Sequence, residues 1–272
     1  MLLRQRLSDF FHKYLRIPYT LHVHEFQSPK KPKATFVFIH GIGNTLHSWD
    51  EVVARLPKDV RLIGIDLLGF GKSPRPAWAV YSAKTQARSV GVTLLKLGLV
   101  QQPIVVGHSL GALVAVEVTR RYPLVIRQLV LCSPPFYAPE STKKGIKPPE
   151  DVLRELYRIA KKFPSQLERM SPLAVKLGLA NKTLNITKDT VVSYMAALEA
   201  SIINQTSLTD IAKLRVPIDI FYGILDPVVI RKHITELART HENATAHKLN
   251  AGHEVVGSYT RSLSDFLKTL SR

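Results

Sequence analysis

The sequence predicts an α/β domain: a mostly parallel central sheet flanked by helices, interrupted once by a helical insertion. Three observations carry this. From Ala34 onward, short β-branched or aromatic runs alternate with longer stretches of helical periodicity, the pattern of parallel strands joined by crossover helices. Several of these runs are apolar at every position, as strands covered on both faces are. Between Ser133 and Leu214 the alternation stops and only helical spacing remains.

The first element is MLLRQRLSDFFHKYL, in which Leu3, Leu7, Phe10, Phe11, Tyr14 and Leu15 fall at helical spacing with Arg4, Arg6 and Lys13 on the other face. Two placements compete for this amphipathic helix: packing on the body of the protein, which is favoured, or peripheral contact with an anionic membrane surface. The segment lacks the uninterrupted apolar core and small-residue cleavage site of a signal peptide, so a cytoplasmic location is expected. Residues 19–26 alternate as a strand and SPKKPK supplies a turn. The following strands are expected at 34–40, 60–66, 103–108, 126–132, 217–223 and 245–250. Helices are expected at 47–56, 83–97, 109–121, 228–240 and 254–270. Within the insertion, PPEDVLRELYRIAKKF and KDTVVSYMAALEASII carry apolar residues three and four apart, with Pro148, Pro149, Glu150 and Asp151 suited to a helix start and Lys161 and Lys162 to a helix end.

Composition narrows the classes. The chain has 272 residues, 45% of them apolar and 22% charged, enough for an ordinary core. Cys132 is the single cysteine, which excludes an intramolecular disulfide, a cysteine zinc cage and an iron–sulfur cluster. No run reaches the about 18 apolar residues that a membrane helix needs. Lys and Arg number 38 against 21 Asp and Glu, and the balance of +17 attracts anions of many kinds. No RNA- or DNA-reading motif accompanies it, so no specific nucleic-acid partner is expected. Gly69 and Gly71 lack the rest of either phosphate-binding fingerprint, so no cofactor is expected. His22 and His24 stand two apart on one strand, but without a third ligand they read as a solvated face, and no metal is expected.

The chemistry concentrates at Gly107-His108-Ser109-Leu110-Gly111, placed between an apolar strand and a helical pattern. In that setting the turn is so tight that glycine is needed at both flanks, and Ser109 is presented at the helix N-terminus as a nucleophile. A serine hydroxyl needs a base, itself oriented by a third group. Asp226 follows the strand ending at Gly223, and His253 follows the next strand. Both then lie at the C-terminal edge of the sheet, where open α/β sheets gather functional groups. The order Ser109, Asp226, His253 is that of the G-x-S-x-G hydrolase motif. Asp219, inside a strand, and Glu140 are the rival acids. His108 is expected beneath the sheet, facing away from Ser109, and His12, His47, His233, His241 and His247 at the surface. An oxyanion needs backbone donors: Leu110, after the nucleophile, supplies one N–H, and Ile42 in the bend His40-Gly41-Ile42-Gly43 supplies the second.

Taken together, HGIG at 40–43, Trp49, DLLGFGKS at 66–73, GHSLG at 107–111, GILD at 223–226 and AGH at 251–253 make the chain, from about Tyr19 to Leu270, resemble the α/β-hydrolase superfamily in its lidded, single-domain branch. The resemblance implies Ser109 as nucleophile, His253 as base and Asp226 as the orienting acid, with Asp66, Gly69 and Gly71 as structural loop residues. It also implies a core of residues 1–133 and 214–272 and a helical cap, 134–213, inserted after the sixth strand. Serine in place of the aspartate of related dehalogenases and epoxide hydrolases points to acyl chemistry. The expected activity is cleavage of a carboxylic ester or related acyl bond in a small, partly apolar substrate, with Leu153, Leu156, Met195 and Leu198 offering apolar faces of the cap. Thioesterase and perhydrolase activities share the triad. Carbon–carbon hydrolysis of a diketo acid and a non-enzymatic binding role for the basic surface are the alternatives. Nothing in the residue pattern specifies an oligomeric state.

Overall fold

Runs buried at every position belong to the middle of the sheet, and the computed structural model places them there. It describes residues 10–137, 181–184, 186, 187, 190–203 and 207–271, with Ser8, Arg158, Lys162, Val175 and Lys176 besides. The strands are β1 (Val23–Gln27), β2 (Thr35–Ile39), β3 (Arg61–Ile65), β4 (Ile104–His108), β5 (Gln128–Cys132), β6 (Ile218–Gly223) and β7 (Ala244–Leu249). They form one sheet in the order β1-β3-β2-β4-β5-β6-β7, with β1 antiparallel to β3 and every other pairing parallel. Strands β2, β4, β5 and β6 are buried throughout, whereas the edge strands β1 and β7 are mostly half-buried or exposed.

Side chains alternate along β2, and the two cores follow from that period of two. Val37 and Ile39 join the core beneath α2 (Ala83–Lys96) and α3 (Leu110–Arg121), while Phe36 and Phe38 join Trp49, Tyr259, Leu263 and Leu267 on the other face. That second face is covered by α1 (Asp50–Val53) and α7 (Ser258–Thr269). The remaining described helices are α4 (Val191–Ala197), α5 (Ser207–Ile211) and α6 (Arg231–Thr240), with a π-helix at Leu198–Ile203. Among the described residues no helix is long and apolar enough to cross a membrane.

From β2 the chain steps outward to β3 and then crosses to β4 on the other side of β2. This reversal opens a crevice at the C-terminal ends of β2 and β4, the usual position of a site in such sheets.

The structure shifts several expected boundaries. Five strands precede the insertion, not six, because a single antiparallel strand, β1, leads into β2 among the described residues. The expected helix at 47–56 is a short 3-10 turn, Leu46–Trp49, followed by α1. The turn is set where Thr45 caps His47 and the Asp66 carboxylate takes the Leu46 N–H. Helix α6 starts at Arg231 instead of 228, since the Asp226 carboxylate holds the N–H groups of Val228 and Val229 in a loop.

At the N-terminus the described part is a π-helical turn, Phe10–Tyr14. The favoured packing of its apolar side on the body is not what is found. Phe10, Phe11, Tyr14 and Leu15 are 46–68% exposed, and it is His12 that stacks on the body, at Tyr19. Leu3, Leu7, Arg4 and Arg6 lie outside the described residues.

Candidate active site

The site begins with a backbone conformation. Between β4 and α3, Ser109 adopts φ 51° and ψ −115°, a region that L-residues rarely occupy. Its N–H donates to the Cys132 carbonyl at 2.9 Å, which locks the turn onto the end of β5. A Cβ at Gly107 would sit 2.5 Å from the Gly111 carbonyl oxygen, and one at Gly111 would sit 2.2 Å from that of Ile39, so the turn closes only with glycine at both places.

Ser109 Oγ lies 3.1 Å from His253 Nε2, and His253 Nδ1 lies 2.8 Å from Asp226 Oδ2. The Asp226 carboxylate accepts from Nδ1–H, which leaves Nε2 with the lone pair that receives the Ser109 hydroxyl proton. The other carboxylate oxygen of Asp226 accepts the Val228 N–H at 2.8 Å. Burial by itself pushes the Asp226 carboxyl up. The hydrogen bond and charge of His253, the Val228 N–H and the Ser133 hydroxyl outweigh it and hold the group below its ordinary value, so it stays ionised although its side chain is fully enclosed.

Two further histidines support the site, and both are missed as such by sequence reasoning. His108, expected beneath the sheet, is instead beside His253: the rings are 5.0 Å apart and His108 Nε2 donates to the His253 carbonyl at 3.0 Å. The alternation of strand faces does not carry through a residue with positive φ, so parity along β4 misplaces it. Burial lowers the His108 pKa, which favours the neutral ring. His40, wholly buried, receives the Leu67 N–H on Nε2 at 3.0 Å and donates from Nδ1 to the Gly41 carbonyl at 2.7 Å, fixing the bend that carries Ile42. Among the described residues, the N–H groups of Ile42 and Leu110 have no protein acceptor.

Asp66 organises the neighbouring loops. Its carboxylate accepts the N–H groups of Leu46 (2.8 Å) and Lys72 (2.9 Å) and pairs with His22 Nδ1 (3.0 Å), so His22 is an internal partner and not part of a solvated face. His24 lies beside Phe26 and His47 instead. Among the described residues no three His, Cys, Asp or Glu side chains are grouped to hold a metal ion.

Described parts of the insertion reach the same loops. Thr183 Oγ1 donates to Asn44 Oδ1 at 3.1 Å, Ser193 Oγ donates to the Gly69 carbonyl at 3.0 Å, and Leu184 and the Tyr194 ring lie against Gly43. Met195 and Leu198 are half-buried, with Leu198 packed on the core, while Leu153 and Leu156 lie outside the described residues. Of the rival acids, Asp219 is engaged elsewhere, by Gln128 and His247, and Glu140 lies outside the described residues. His247, expected at the surface, is half-buried in that pair, and His233 is half-buried with Nδ1 on the Phe136 carbonyl.

Comparison with known proteins places this geometry. A family model described as the alpha/beta hydrolase fold matches residues 34–183. The probable lysophospholipase BODYGUARD 4 of Arabidopsis thaliana is 32% identical over 121 residues, covering 44% of this chain and 29% of that protein. BODYGUARD 2 of the same plant is 30% identical over 134 residues, 47% of this chain and 28% of that protein. The matches thus span under a third of the length of these curated relatives. Among solved structures, an esterase from Exiguobacterium antarcticum aligns with TM-score 0.73 at 18% identity, over 92% of this chain and 95% of that one. A bromoperoxidase from Bacillus anthracis aligns with TM-score 0.73 at 19% identity, over 92% and 94%. At these identities the likeness to the solved structures is one of fold.

Proposed function

The chain belongs to the alpha/beta hydrolase family, and from that premise we propose that it is a serine hydrolase cleaving carboxylic esters, or related acyl bonds, of small, partly apolar molecules. The observation that carries this reading is the line Ser109 Oγ, His253 Nε2, His253 Nδ1, Asp226 Oδ2, with separations of 3.1 and 2.8 Å.

In the mechanism that this line supports, His253 Nε2 takes the Ser109 proton as Oγ attacks the acyl carbon. The carbonyl oxygen becomes an oxyanion, which the uncommitted N–H groups of Leu110 and Ile42 receive; one such donor is worth about 10²–10³ in kcat. Collapse breaks the bond to the leaving oxygen, which takes the proton from His253, and an acyl-Ser109 remains. Water then gives a proton to His253 and attacks the acyl carbon. The second tetrahedral intermediate releases the carboxylic acid and restores Ser109. Asp226 keeps Nδ1 protonated and stabilises the imidazolium in both halves. Residues 134–213 act as a cap over a core of 1–133 and 214–272. This division is supported by the absence of any strand between Cys132 and Ile218 among the described residues, and by the contacts of Thr183 and Ser193 with the loops beside the site. Leu184 and Tyr194, lying on Gly43, provide the apolar wall next to the oxyanion bend.

The test is covalent labelling with a fluorophosphonate serine probe, mapped to the modified peptide, beside Ser109→Ala and followed by an ester panel. One adduct on Ser109, lost in the variant, together with turnover of esters, is the expected result. A folded protein that takes no adduct and hydrolyses no ester overturns the reading.

A further inference from the structure

The N-terminal segment inverts the usual arrangement of a surface turn. Phe10, Phe11, Tyr14, Leu15 and Ile17 are 50%, 46%, 68%, 52% and 46% exposed, a run of large apolar side chains facing outward within eight residues. Its polar groups are the ones that fasten it inward. The His12 ring stacks on Tyr19 with centroids 3.5 Å apart, His12 Nδ1 donates to the Ile17 carbonyl, and Arg88 Nη2 of α2 donates to the Arg16 carbonyl at 2.7 Å. Beneath the segment is a cavity of about 330 Å³ whose lining includes Lys13, Arg16 and Arg88 together with Leu68, Trp78 and Val80. Val80 is itself 65% exposed. Apolar patches of this kind, held outward by the fold, mark surfaces that meet something else.

Charge selects the occupant. Neither residues 10–24 nor residues 67–98, the two stretches that build this side, contain an Asp or Glu, while they hold Lys13, Arg16, Lys72, Arg75, Lys84, Arg88 and Lys96. A second copy presenting the same carboxylate-free face would be repelled. A nucleic acid would meet the cations but leave Leu15 and Ile17 in water. A bilayer with anionic headgroups satisfies both halves: the aromatic and aliphatic side chains enter the headgroup–acyl boundary and the cations meet the phosphates.

We propose that residues 10–17, together with the adjoining face of α2, form a docking surface for an anionic lipid membrane. The surface is independent of the acyl chemistry proposed above, and the protein would approach the bilayer with the β1 side of its sheet, the edge opposite β7 and α6.

Co-sedimentation of the whole protein with phosphatidylcholine vesicles, with and without phosphatidylglycerol, tests this. Binding is expected to be about tenfold or more tighter to the anionic vesicles, and to fall about tenfold both in Phe10→Ser/Phe11→Ser/Leu15→Ser and in Lys13→Glu/Arg16→Glu. These side chains are exposed, so circular dichroism is expected to show an unchanged fold. Arg231→Glu/Lys232→Glu, which reverses the same charge at the opposite edge, is expected to leave binding within about twofold. If that control weakens binding as much as Lys13→Glu/Arg16→Glu does, diffuse charge explains the retention and the proposal fails. It also fails if the serine variant binds vesicles like wild type. A wild-type dimer that the serine variant dissolves in size-exclusion chromatography, without vesicle binding, would overturn it in favour of an interface between copies.

Discussion

The sheet carries two histidine–aspartate pairs on the same neighbouring strands, and only one of them has a hydroxyl in front of it. His247 Nε2 donates to Asp219 Oδ1 at 2.7 Å, and His253 Nδ1 donates to Asp226 Oδ2 at 2.8 Å. By distance the two are nearly the same. They differ in position: Asp219 and His247 lie within β6 and β7, whereas Asp226 and His253 lie in the loops past the ends of those strands. Inside the sheet, neighbours close every direction. The His247 ring stacks on Phe221 at 4.3 Å, Phe266 is 5.0 Å away, and Gln128 occupies the second oxygen of Asp219. At the sheet's C-terminal edge the second imidazole nitrogen of His253 is turned to Ser109 Oγ. An acid behind an imidazole therefore orients it, but a base for acyl transfer also needs an accessible nitrogen and a nucleophile placed by a strand end.

The sharpest way to break this comparison is to remove the nucleophile or its base. Ser109→Ala and His253→Ala are each expected to lower kcat on an activated ester by about 10⁶-fold, with urea denaturation midpoints showing both proteins folded. Asp226→Asn comes next: the asparagine side chain presents a neighbour to Nδ1 that no longer enforces the productive tautomer, and kcat is expected to fall about 10⁴-fold. A variant that keeps the wild-type rate would place the orienting acid elsewhere. The mirror-image change, Asp219→Asn, is expected to leave kcat within about twofold and to cost about 1–3 kcal/mol in urea denaturation, since it disturbs the buried bonds to Gln128 and His247 without touching the reacting atoms. A large loss of kcat there would erase the distinction between the pairs.

The smallest effect is in acid. The Asp226 carboxyl titrates lower in the folded chain than in the unfolded one, burial opposing and the His253 and Val228 contacts prevailing. A depressed carboxyl contributes stability above its unfolded value, about pH 4, and that contribution is lost as pH falls through the lower folded value. Denaturation midpoints measured from pH 5 downward are expected to fall less steeply in Asp226→Asn than in wild type.

The comparison also marks how far the sequence could be read. Strands were legible to within a few residues, because five-residue runs such as TFVFI and QLVLC leave no alternative to burial on both faces. Ser109, Asp226 and His253 were legible because each follows a recognisable strand, and strand ends share one edge. What local pattern does not encode is which distant groups meet across that edge. His108 was misplaced because strand parity fails at a residue with φ 51°, and the roles of His40 and His22 depend on the loop that Asp66 gathers from residues far apart in the chain. His247 looked like a surface residue because an edge strand alternates with polar side chains, and only the register Phe221↔His247 brings it to its partners. The N-terminal periodicity was read correctly as amphipathic and assigned the wrong face, since periodicity shows that two faces differ without saying which one turns inward.

The turn at Ser109 has a consequence for how this protein can vary. The atoms that forbid a Cβ at Gly107 and Gly111 are main-chain oxygens, those of Gly111 and Ile39. A clash with a side chain can be relieved by shortening that side chain, so second-site suppressors exist for it. Every amino acid carries the same carbonyl, so no substitution at residues 39 or 111 relieves these two. A selection for revertants of Gly111→Ala should therefore return true reversions at codon 111 and few compensating changes elsewhere. Lineages of this chain are then free to exchange the side chains that wall the site while the turn beneath them stays fixed.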